Sequence, residues 1–373
     1  MKIAVVGPIY PYRGGIANFN ARLIKELKLV DELLSINFSR LYPGILFPGK
    51  TQYDTSQSTF DVPSERLIDS INPFSWFSSA SHINQWKPDA VIFHYWHPFF
   101  IPSYVSIIKA LTHVPCIAIC HNVVPHESAG YQKWMIRQFL ERLDGVMVHA
   151  QAEAEDLKRL QSSLPNKVGF HPLYDNFPNQ DISKRDARER LGLPVEGKIA
   201  LYFGLIRHYK GVDLFFQASD LLQDSPDLKM LAVGEIYAGR EELTAQVASL
   251  PFERAELRDT YIPNELVALY FRAADLVVLP YRTATQSGIV PIAYACDRPV
   301  VVTQVGGLSE VVNDGETGFV IPPNDVQALA DAIRSFFANN QYDRFQPGIN
   351  RVKSRLSWKT YCEQLHELIV EVK

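Results

Sequence analysis

The sequence predicts an α/β protein made of two halves of similar design, each built around a parallel β-sheet. Short apolar runs recur along the 373-residue chain, and several end in glycine or polar residues that lead into a stretch of helical periodicity. Such strand–loop–helix units are typical of doubly wound parallel sheets. The pattern gives way to a polar segment near residues 168–184 and then begins again. We therefore predict two domains, each large enough to bury its own core.

Composition excludes several classes of protein. Hydrophobic residues make up 47% of the chain and charged residues 21%, which is ordinary for a globular enzyme. The formal net charge of −4 argues against broad nucleic-acid binding. No apolar run approaches the roughly 20 residues of a membrane span, and the opening MKIAVVGPIY predicts a strand, not a signal peptide. The four cysteines are few for this length, so we expect buried thiols in a reducing, cytoplasmic compartment.

The first half contains four predicted strands, the last of which we expect to close this half. They are Lys2–Val6, Asp89–Phe93, Cys116–Cys120 and Gly145–His149. Residues 42–64 are rich in Pro, Gly, Ser and Thr and predict a long loop that carries Lys50. The segment 72–77 (NPFSWF) is an aromatic cluster that we expect at the surface.

Gly14 and Gly15 lie where the first strand leads into a predicted helix over residues 16–29. Ligands bind at this carboxyl edge in open α/β folds. The spacing is not GxGxxG, so a dinucleotide fingerprint is not supported. The alternative is a glycine turn without a ligand.

Histidines follow two consecutive strands of the first half and therefore belong at one sheet edge. Five of them fall within 33 residues: His94, His97, His113, His121 and His126. A histidine in this position can accept or orient a proton near neutral pH. A structural hydrogen bond is the alternative, and a metal site is less favoured because no carboxylate or cysteine joins at ligand spacing.

A predicted amphipathic helix over residues 131–143 carries Trp134 together with Lys133 and Arg137. This pattern suits a helix on the domain surface. The alternative is peripheral contact with an anionic membrane.

The second half opens with the predicted strand Lys198–Phe203, which ends at Gly204 and is followed by Arg207 and Lys210. A helix is predicted directly after Gly211. Two cations at the carboxyl edge of a strand can clamp a diphosphate and stabilise it as it leaves. The alternative is ordinary surface charge.

Two further positions are candidates for recognition of a base or ribose. Glu235 follows the predicted strand Leu228–Val233, and Tyr261 precedes a predicted helix over 264–273.

The segment Tyr281–Val302 (YRTATQSGIVPIAYACDRPVVV) follows the apolar strand Asp275–Leu279. Its loop ends in Gln286-Ser287-Gly288, and the pattern predicts a helix whose first turn is Ser287–Pro291. A helix start presents free N–H groups and a partial positive charge, which suits a phosphate. The alternative is an ordinary crossover helix with a serine cap.

Taken together, the whole chain resembles the retaining GT-B glycosyltransferases of the glycosyltransferase-four group. The matching segments occur in family order, and they are Gly14-Gly15 before the first helix, His121 after its strand, FGLIRHYKG (203–211), AADLVVLP (273–280) and PVVVTQVGGLSEVVNDGETGFVIPPND (299–325).

The resemblance implies two Rossmann-like domains with parallel sheets that face a central cleft. We expect an acceptor-side domain over residues 1–175 and a nucleotide-sugar-binding domain over 176–355. Residues 356–373 are expected to form a helix that crosses back to the first domain.

The resemblance also implies a function: retaining transfer of a sugar from a nucleotide diphosphate sugar to a hydroxyl of a glycan or lipid-linked glycan, in cell-surface polysaccharide biosynthesis. No cofactor, metal or nucleic acid is expected. Lys210 and Arg207 would hold and stabilise the diphosphate, and His121 would contact the transferred sugar. The implied donor-binding positions are Gly14, Gly15, Gly204, Glu235, Tyr261, Gln286, Ser287, Gly288 and Ile289. We expect a cytoplasmic protein, with peripheral contact at the inner membrane face as an open alternative.

The sequence departs from the family pattern in two places. Ala284 and Ile292 occupy the positions of the family's usual Glu-x7-Glu motif, and isoleucine cannot hydrogen-bond a ribose. The basic residue that usually follows the glycine is replaced by Leu205, so Arg207 is expected to substitute for it.

These departures leave two other functions open. One is a non-catalytic GT-B protein that binds a nucleotide or serves as a scaffold. The other is a nucleotide-sugar epimerase, which would need carboxylates in the site, and Glu127 and Glu235 are the candidates.

Overall fold

Each half of the chain builds its own parallel β-sheet, as the strand–loop–helix pattern predicts. The structure is a computed structural model that describes residues 1–44, 51–57, 60–124, 130–175, 177–251, 253–338 and 341–373. One unit comprises most of residues 1–170 together with Trp358–Lys373, and the other comprises His171–Ser357 with a short stretch at Gln57. Lys50, His126 and Glu127 lie outside the described residues.

The first unit has a seven-stranded sheet in which every pairing is parallel and the strand order is β3-β2-β1-β4-β5-β6-β7. Its strands and helices are β1 (Lys2–Val6), α1 (Gly15–Leu27), β2 (Glu32–Arg40), β3 (Glu65–Asp69), α2 (Pro73–Trp86), β4 (Ala90–Tyr95), α3 (Ile101–Ala110), β5 (Cys116–Cys120), α4 (Gly130–Leu140), β6 (Gly145–Val148), α5 (Gln151–Leu160) and β7 (Asn166–Val168).

The second unit has a six-stranded parallel sheet in the order β10-β9-β8-β11-β12-β13. Its elements are α6 (Lys184–Leu191), β8 (Lys198–Phe203), α7 (Val212–Leu221), β9 (Leu228–Val233), α8 (Arg240–Ala248), β10 (Ala255–Arg258), α9 (Asn264–Ala273), β11 (Leu276–Leu279), α10 (Ile289–Ala295), β12 (Val300–Thr303), β13 (Gly318–Ile321), α11 (Val326–Ala338) and α12 (Tyr342–Arg355).

The last helix, α13 (Trp358–Glu371), belongs to the first unit, where it packs on α1, β6 and β7. Its apolar face is fully or nearly fully buried and consists of Trp358, Tyr361, Cys362, Leu365, Leu368 and Ile369. The first unit therefore takes part of its core from the end of the chain.

The strand order reverses once in each sheet, between β1 and β4 in the first unit and between β8 and β11 in the second. Ligands of open α/β sheets bind at the carboxyl ends of the strands at such a reversal. Gly7 follows β1 and His94 lies in β4, while Gly204 follows β8 and Pro280 follows β11. These positions define where a site can form in each unit.

Three predictions about individual elements are wrong. Strand β4 extends to Tyr95, because its backbone stays paired with β5, so His94 lies inside the strand and not after it. Strand β6 is not the last of its half, because β7 pairs with its outer edge. Helix α10 begins at Ile289, so Ser287 lies before the first turn.

Candidate active site at the carboxyl ends of the two sheets

Lys210 lies at the centre of the candidate site in the second unit. It ends a short 3-10 helix, His208–Lys210, in the connection between β8 and α7. The side chain is half-buried, and its Nζ lies 5.3 Å from the ring centroid of Tyr281. Burial lowers the pKa of Lys210, and the positive charge of Arg207 lowers it further. Among the described residues no carboxylate forms an ion pair with Lys210, so a half-buried cation is available to an anion.

Two glycines shape the backbone around this cation. Gly204 has a φ of +119°, and a Cβ built on it would lie 3.7 Å from Lys210 Nζ and 3.6 Å from Ile289 Cδ1. Gly234, which follows β9, has a φ of +156°, and a Cβ there would lie 1.9 Å from the Gly204 carbonyl oxygen. The ends of β8 and β9 therefore meet so closely that side chains are excluded on the sheet edge.

Arg282 lies in the loop after β11 and attaches this loop to the one that contains Lys210. Its guanidinium donates two hydrogen bonds to the Asp213 carboxylate, at 2.8 and 2.6 Å, and a third to the His208 carbonyl at 2.9 Å. Its backbone N–H also donates to the Tyr209 carbonyl at 2.7 Å. Such a bidentate pair is directional as well as strong. The sequence analysis did not assign Arg282 a role, although its place in the loop YRTATQSG could have suggested one.

The loop before α10 is held from its other side. Thr303 donates its hydroxyl to the Tyr281 carbonyl at 2.6 Å, and the Gly307 N–H donates to the Thr285 carbonyl at 2.8 Å. Gly306, with a φ of +46°, approaches the Ala284 carbonyl so closely that a Cβ would lie 1.8 Å from it. The loop is thus clamped between the ends of β8 and β12.

Ser287 and Gly288 form the approach to α10. The Ser287 hydroxyl accepts a hydrogen bond from the Ile289 N–H at 3.3 Å and lies 3.4 Å from the Tyr281 hydroxyl. Gly288 has no room for a side chain without contact, because a Cβ there would lie 3.4 Å from His171 and from Tyr174. Gln286 precedes them in the same loop. Burial lowers the pKa of His171 to about 4, so this imidazole is neutral near pH 7.

Arg207 and Glu235 lie in adjacent connections, because β8 and β9 are neighbours. The Ile206 N–H donates to the Glu235 carbonyl at 2.9 Å, which continues the ladder past the strands. Arg207 is exposed, with its guanidinium carbon 5.1 Å from the ring centroid of Tyr237. Glu235 is buried, and Tyr261 is half-buried in the connection before α9.

The positions that correspond to the family's two glutamates are apolar and enclosed. Ala284 and Ile292 are each 7% exposed, and neither side chain can form a hydrogen bond. Ile292 lies within α10, packed in the second unit.

The glycine pair of the first unit begins α1. Gly14 has a φ of +111° and caps the helix, and the Asn18 N–H donates to its carbonyl at 3.1 Å. A Cβ on Gly14 or Gly15 would meet no atom within 4 Å among the described residues. The preceding loop is anchored by Tyr12, whose ring stacks on Tyr53 at 5.6 Å.

Two of the predicted histidines lie together, and a third joins them. His94 Nδ1 lies 2.9 Å from His121 Nε2, and the ring centroid of His149, directly after β6, lies 5.3 Å from that of His121. Two more of the five predicted histidines are described, and they lie elsewhere: His97 caps the short 3-10 helix Pro98–Phe100, and His113 is exposed in a loop. The sequence analysis placed His149 at a strand end without assigning it to the site, although the same position after β5 supplied His121.

The described residues form neither a metal-binding cluster nor a membrane-spanning helix. In the part of the chain that the structure describes, no group of three or more His, Cys, Asp or Glu residues is arranged to hold a metal ion. Within the same residues, none of the helices combines the length and apolarity that crossing a bilayer requires.

Helix α4 exposes aromatic side chains. Tyr131 is 66% exposed and Trp134 is 65% exposed, while Arg137 pairs with Glu141 at 3.2 Å.

Two α/β units with sheets of seven and six parallel strands, and a cationic connection at the reversal of the second sheet, define a GT-B glycosyltransferase fold. A solved structure of Anabaena HepE with UDP and glucose matches over all of both chains, with a TM-score of 0.78 and 18% identity. Sucrose-phosphate synthase from Thermosynechococcus elongatus matches over 100% of this chain and 98% of its own, with a TM-score of 0.76 and 20% identity. At these identities the likeness concerns the fold.

The family follows from the sequence comparison. A model described as glycosyl transferases group 1 matches residues 197–339, and a model described as glycosyltransferase family 4 matches residues 49–168. The chain belongs to these GT-B glycosyltransferases of the glycosyltransferase-four group.

Curated relatives match over part of their length. A putative teichuronic acid biosynthesis glycosyltransferase of Bacillus subtilis is 29% identical over 67% of this chain and 61% of its own. A lipopolysaccharide core biosynthesis mannosyltransferase of Rhizobium meliloti is 34% identical over 56% of this chain and 58% of its own. A D-inositol 3-phosphate glycosyltransferase of Corynebacterium diphtheriae is 26% identical over 78% and 72%. The chain thus spans less than two thirds of the length of the first two relatives.

Proposed function

We propose that the protein transfers a sugar from a nucleotide diphosphate sugar to a hydroxyl of a glycan or lipid-linked glycan, with retention of configuration. The observation that carries this proposal is the half-buried Lys210, a cation without a carboxylate partner among the described residues. It lies at the sheet reversal, where α/β proteins bind phosphates. Membership of the family supports the reaction class.

The reaction needs negative charge to be stabilised on the leaving group. As the bond between the anomeric carbon and the phosphate oxygen breaks, the nucleoside diphosphate gains charge, and Lys210 and Arg207 stabilise it. The acceptor hydroxyl forms its bond to the anomeric carbon on the same face. Its proton passes to the departing phosphate oxygen, so no enzyme nucleophile is required. Preorganised cations of this kind are usually the largest single contribution to such catalysis.

We propose that the two cations supply the positive charge that a divalent metal supplies in other transferases. A metal would need oxygen or imidazole ligands near the phosphates. Lys210 Nζ lies instead beside the ring of Tyr281 and the backbone at Gly204, and the described residues contain no group of three or more His, Cys, Asp or Glu side chains that could hold a metal ion. Turnover should therefore be unchanged after treatment with EDTA. A loss that added Mg²⁺ or Mn²⁺ restores would contradict this part of the proposal.

The named relatives support an acceptor in cell-surface polysaccharide biosynthesis, and one solved neighbour was determined with UDP and glucose.

We propose a cytoplasmic enzyme that meets a lipid-linked acceptor at the inner membrane face. The exposed Trp134 and Tyr131 of α4 support this contact, because aromatic side chains prefer the interface. Wild-type protein should sediment with anionic vesicles at low salt, and Trp134→Ala should weaken the association; equal sedimentation by both would contradict the contact.

The central test is the substitution Lys210→Met, with Lys359→Met on an exposed position of α13 as the matched control. Losing one preorganised donor typically costs about 10²–10³-fold in turnover. We expect a loss of that order for Lys210→Met and none for the control, with unchanged circular dichroism for both. Transfer should be measured with a panel of uridine, guanosine and adenosine diphosphate sugars. Wild-type turnover by Lys210→Met would overturn the assigned role.

A non-catalytic nucleotide-binding scaffold is the second candidate, because Ala284 and Ile292 replace both family glutamates. The same panel separates the two functions. Thermal stabilisation by a nucleotide sugar without hydrolysis or transfer would favour the scaffold, whereas release of the nucleoside diphosphate with formation of a glycoside favours the transferase.

A further inference from the structure

His94 and His121 form a close pair of imidazole rings in the first unit. His94 is completely buried inside β4, and its backbone carbonyl accepts a hydrogen bond from the Tyr104 hydroxyl at 2.9 Å. His121 follows β5, and its N–H donates to the Tyr95 carbonyl at 2.8 Å. The two rings stack at 5.3 Å with an interplanar angle of 16°, and Nδ1 of His94 lies 2.9 Å from Nε2 of His121.

One hydrogen is shared between these two nitrogens, so two arrangements exist. In the first, His94 donates from Nδ1, and a neutral His121 then carries its own hydrogen on Nδ1. In the second, His121 donates from Nε2, and a neutral His94 carries its hydrogen on Nε2. Burial lowers the pKa of His94 to about 3, so His94 is neutral and holds a single ring hydrogen.

The surroundings of His94 favour the first arrangement. Its Nε2 is buried and meets no hydrogen-bond partner in the described ranges of the chain. Placing the hydrogen on Nε2 would therefore leave a buried N–H donor without an acceptor, and such donors are rarer in proteins than unpaired acceptors. An unpaired Nε2 is therefore better accommodated as an acceptor than as a donor, which favours the His94 tautomer with its hydrogen on Nδ1.

The His121 ring is also held from two further sides. Phe19 of α1 meets it edge-on at 4.9 Å, and His149 lies against it at 5.3 Å. His149 is in turn fixed by the Tyr361 hydroxyl of α13, which lies 2.9 Å from its Nε2. Rotation of the His121 ring about its Cβ–Cγ bond would carry Nε2 away from Nδ1 of His94, and packing against Phe19 and His149 opposes it.

We propose that His94 is a positioning residue that fixes His121 as the tautomer with its hydrogen on Nδ1, so that His121 acts as a hydrogen-bond donor to a sugar hydroxyl or phosphate oxygen. This inference rests on the proposed function, in which His121 contacts the transferred sugar. Metal-bound and catalytic imidazoles are oriented in the same way, because a hydrogen bond from a neighbouring group to the second ring nitrogen fixes the tautomer.

The pairing can be tested without activity. In protein labelled with ¹⁵N-histidine, the two ring nitrogens of His121 have distinct shifts according to which one bears the hydrogen, and loss of a signal in His121→Gln assigns them. We expect the hydrogen on Nδ1 in the wild type. In His94→Leu the Nε2–H form should gain population. A wild-type His121 with its hydrogen on Nε2 would overturn the proposal.

The functional part is tested with His94→Asn and His94→Leu, whose side chains have the same number of heavy atoms and the same branching. The asparagine amide can replace the Nδ1–H donor, whereas leucine has none. We expect similar losses in melting temperature, but turnover within a few-fold of wild type for Asn and a decrease on the order of 10–100-fold for Leu. Equal turnover by the two variants would show that His94 has only a structural role and would contradict the proposal.

A His121→Ala background separates this inference from the proposed function. If His94 acts through His121, His94→Asn and His94→Leu should not differ in turnover once His121 is absent. A difference that persists would refute action through His121. Wild-type turnover by His121→Ala would contradict the sugar contact itself, while the tautomer measurement would still decide whether His94 fixes the ring.

Discussion

At the scale of the residue, Lys210 holds a charge in a setting that disfavours it. Burial and the charge of Arg207 lower its pKa, while the ring of Tyr281 offers only a weak favourable contact. A cationic group whose pKa is lowered in the folded state destabilises the free protein at pH values below that pKa, and this destabilisation is lost as pH rises from the folded pKa to the unfolded pKa. A bound anion would offset this cost, which agrees with the anion-binding role that we propose for Lys210.

This lowered pKa predicts an alkaline limit to activity. As pH rises through the pKa of Lys210, the ammonium loses its charge and kcat/KM should fall, at a lower pH than for an exposed lysine. In Lys210→Arg the guanidinium stays charged, so the fall should move to higher pH, although the plateau is reduced. The measurement is kcat/KM against pH between about 7 and 10, with Lys359→Arg as the control. An unmoved limit in Lys210→Arg would assign it to another group.

Single residues could be located from the sequence where they directly follow an apolar strand. Lys210 and Arg207 lie in the connection after β8, and His121 follows β5, as expected, whereas the roles assigned to these residues stay predictions. The pairing of His149 with Tyr361 was not accessible, because the two are 212 positions apart and only the return of α13 brings them together. Arg282 was missed because its partner, Asp213, is also distant in sequence.

At the scale of the element, the contact between Arg282 and Asp213 ties the start of α7 to the loop after β11. Burial tends to raise the pKa of Asp213, but the hydrogen bonds and charge of Arg282 outweigh it, so the pKa is lowered. A carboxylate with a lowered folded pKa contributes stability above its unfolded pKa. That contribution is lost as pH falls through the folded pKa.

We expect Arg282→Lys to reduce turnover about ten-fold or more while changing the melting temperature little. Lysine keeps the charge but cannot make the bidentate contact, so Lys210 loses its fixed position. Asp213→Asn should behave similarly, and the double variant should lose no more than the worse single variant. Steady-state kinetics and thermal melts of all three check this. Additive losses in the double variant would show that the two residues act independently.

Strands with buried, mostly apolar sequences were predicted well, and strands with alternating or short apolar runs were not. Strands β1, β5, β8 and β9 have the predicted bounds. Strands β2, β3 and β7 were missed because they contain charged residues and their apolar runs alternate or are short. The segment 72–77 was correctly expected to expose aromatic rings, since Phe74 is 85% exposed, but it begins helix α2.

At the scale of the whole molecule, the first unit depends on α13. Fully burying one large apolar side chain contributes about 1.5–3 kcal/mol, and α13 buries Trp358, Tyr361, Leu365, Leu368 and Ile369. The combined contribution is on the order of 10 kcal/mol, comparable to the entire stability of a domain.

We therefore expect a fragment of residues 1–170 to lack a cooperative thermal transition and to bind a hydrophobic dye. Joining residues 358–373 to it through a flexible linker should restore cooperative unfolding. Circular dichroism melts and dye fluorescence of the two fragments measure this. A cooperative melt of residues 1–170 alone, equal to that of the linked fragment, would show that the contribution of α13 is overestimated.

Because α13 completes the first unit, it also affects the order in which the two units fold during translation. Nascent domains generally fold in order of synthesis, at about 5–20 residues per second. Here the earliest-made unit waits roughly 10–40 s for the segment that finishes it, while residues 171–357 are translated. We expect the later-made unit to reach its native state first. During that interval the surface destined for the final helix is open to chaperones.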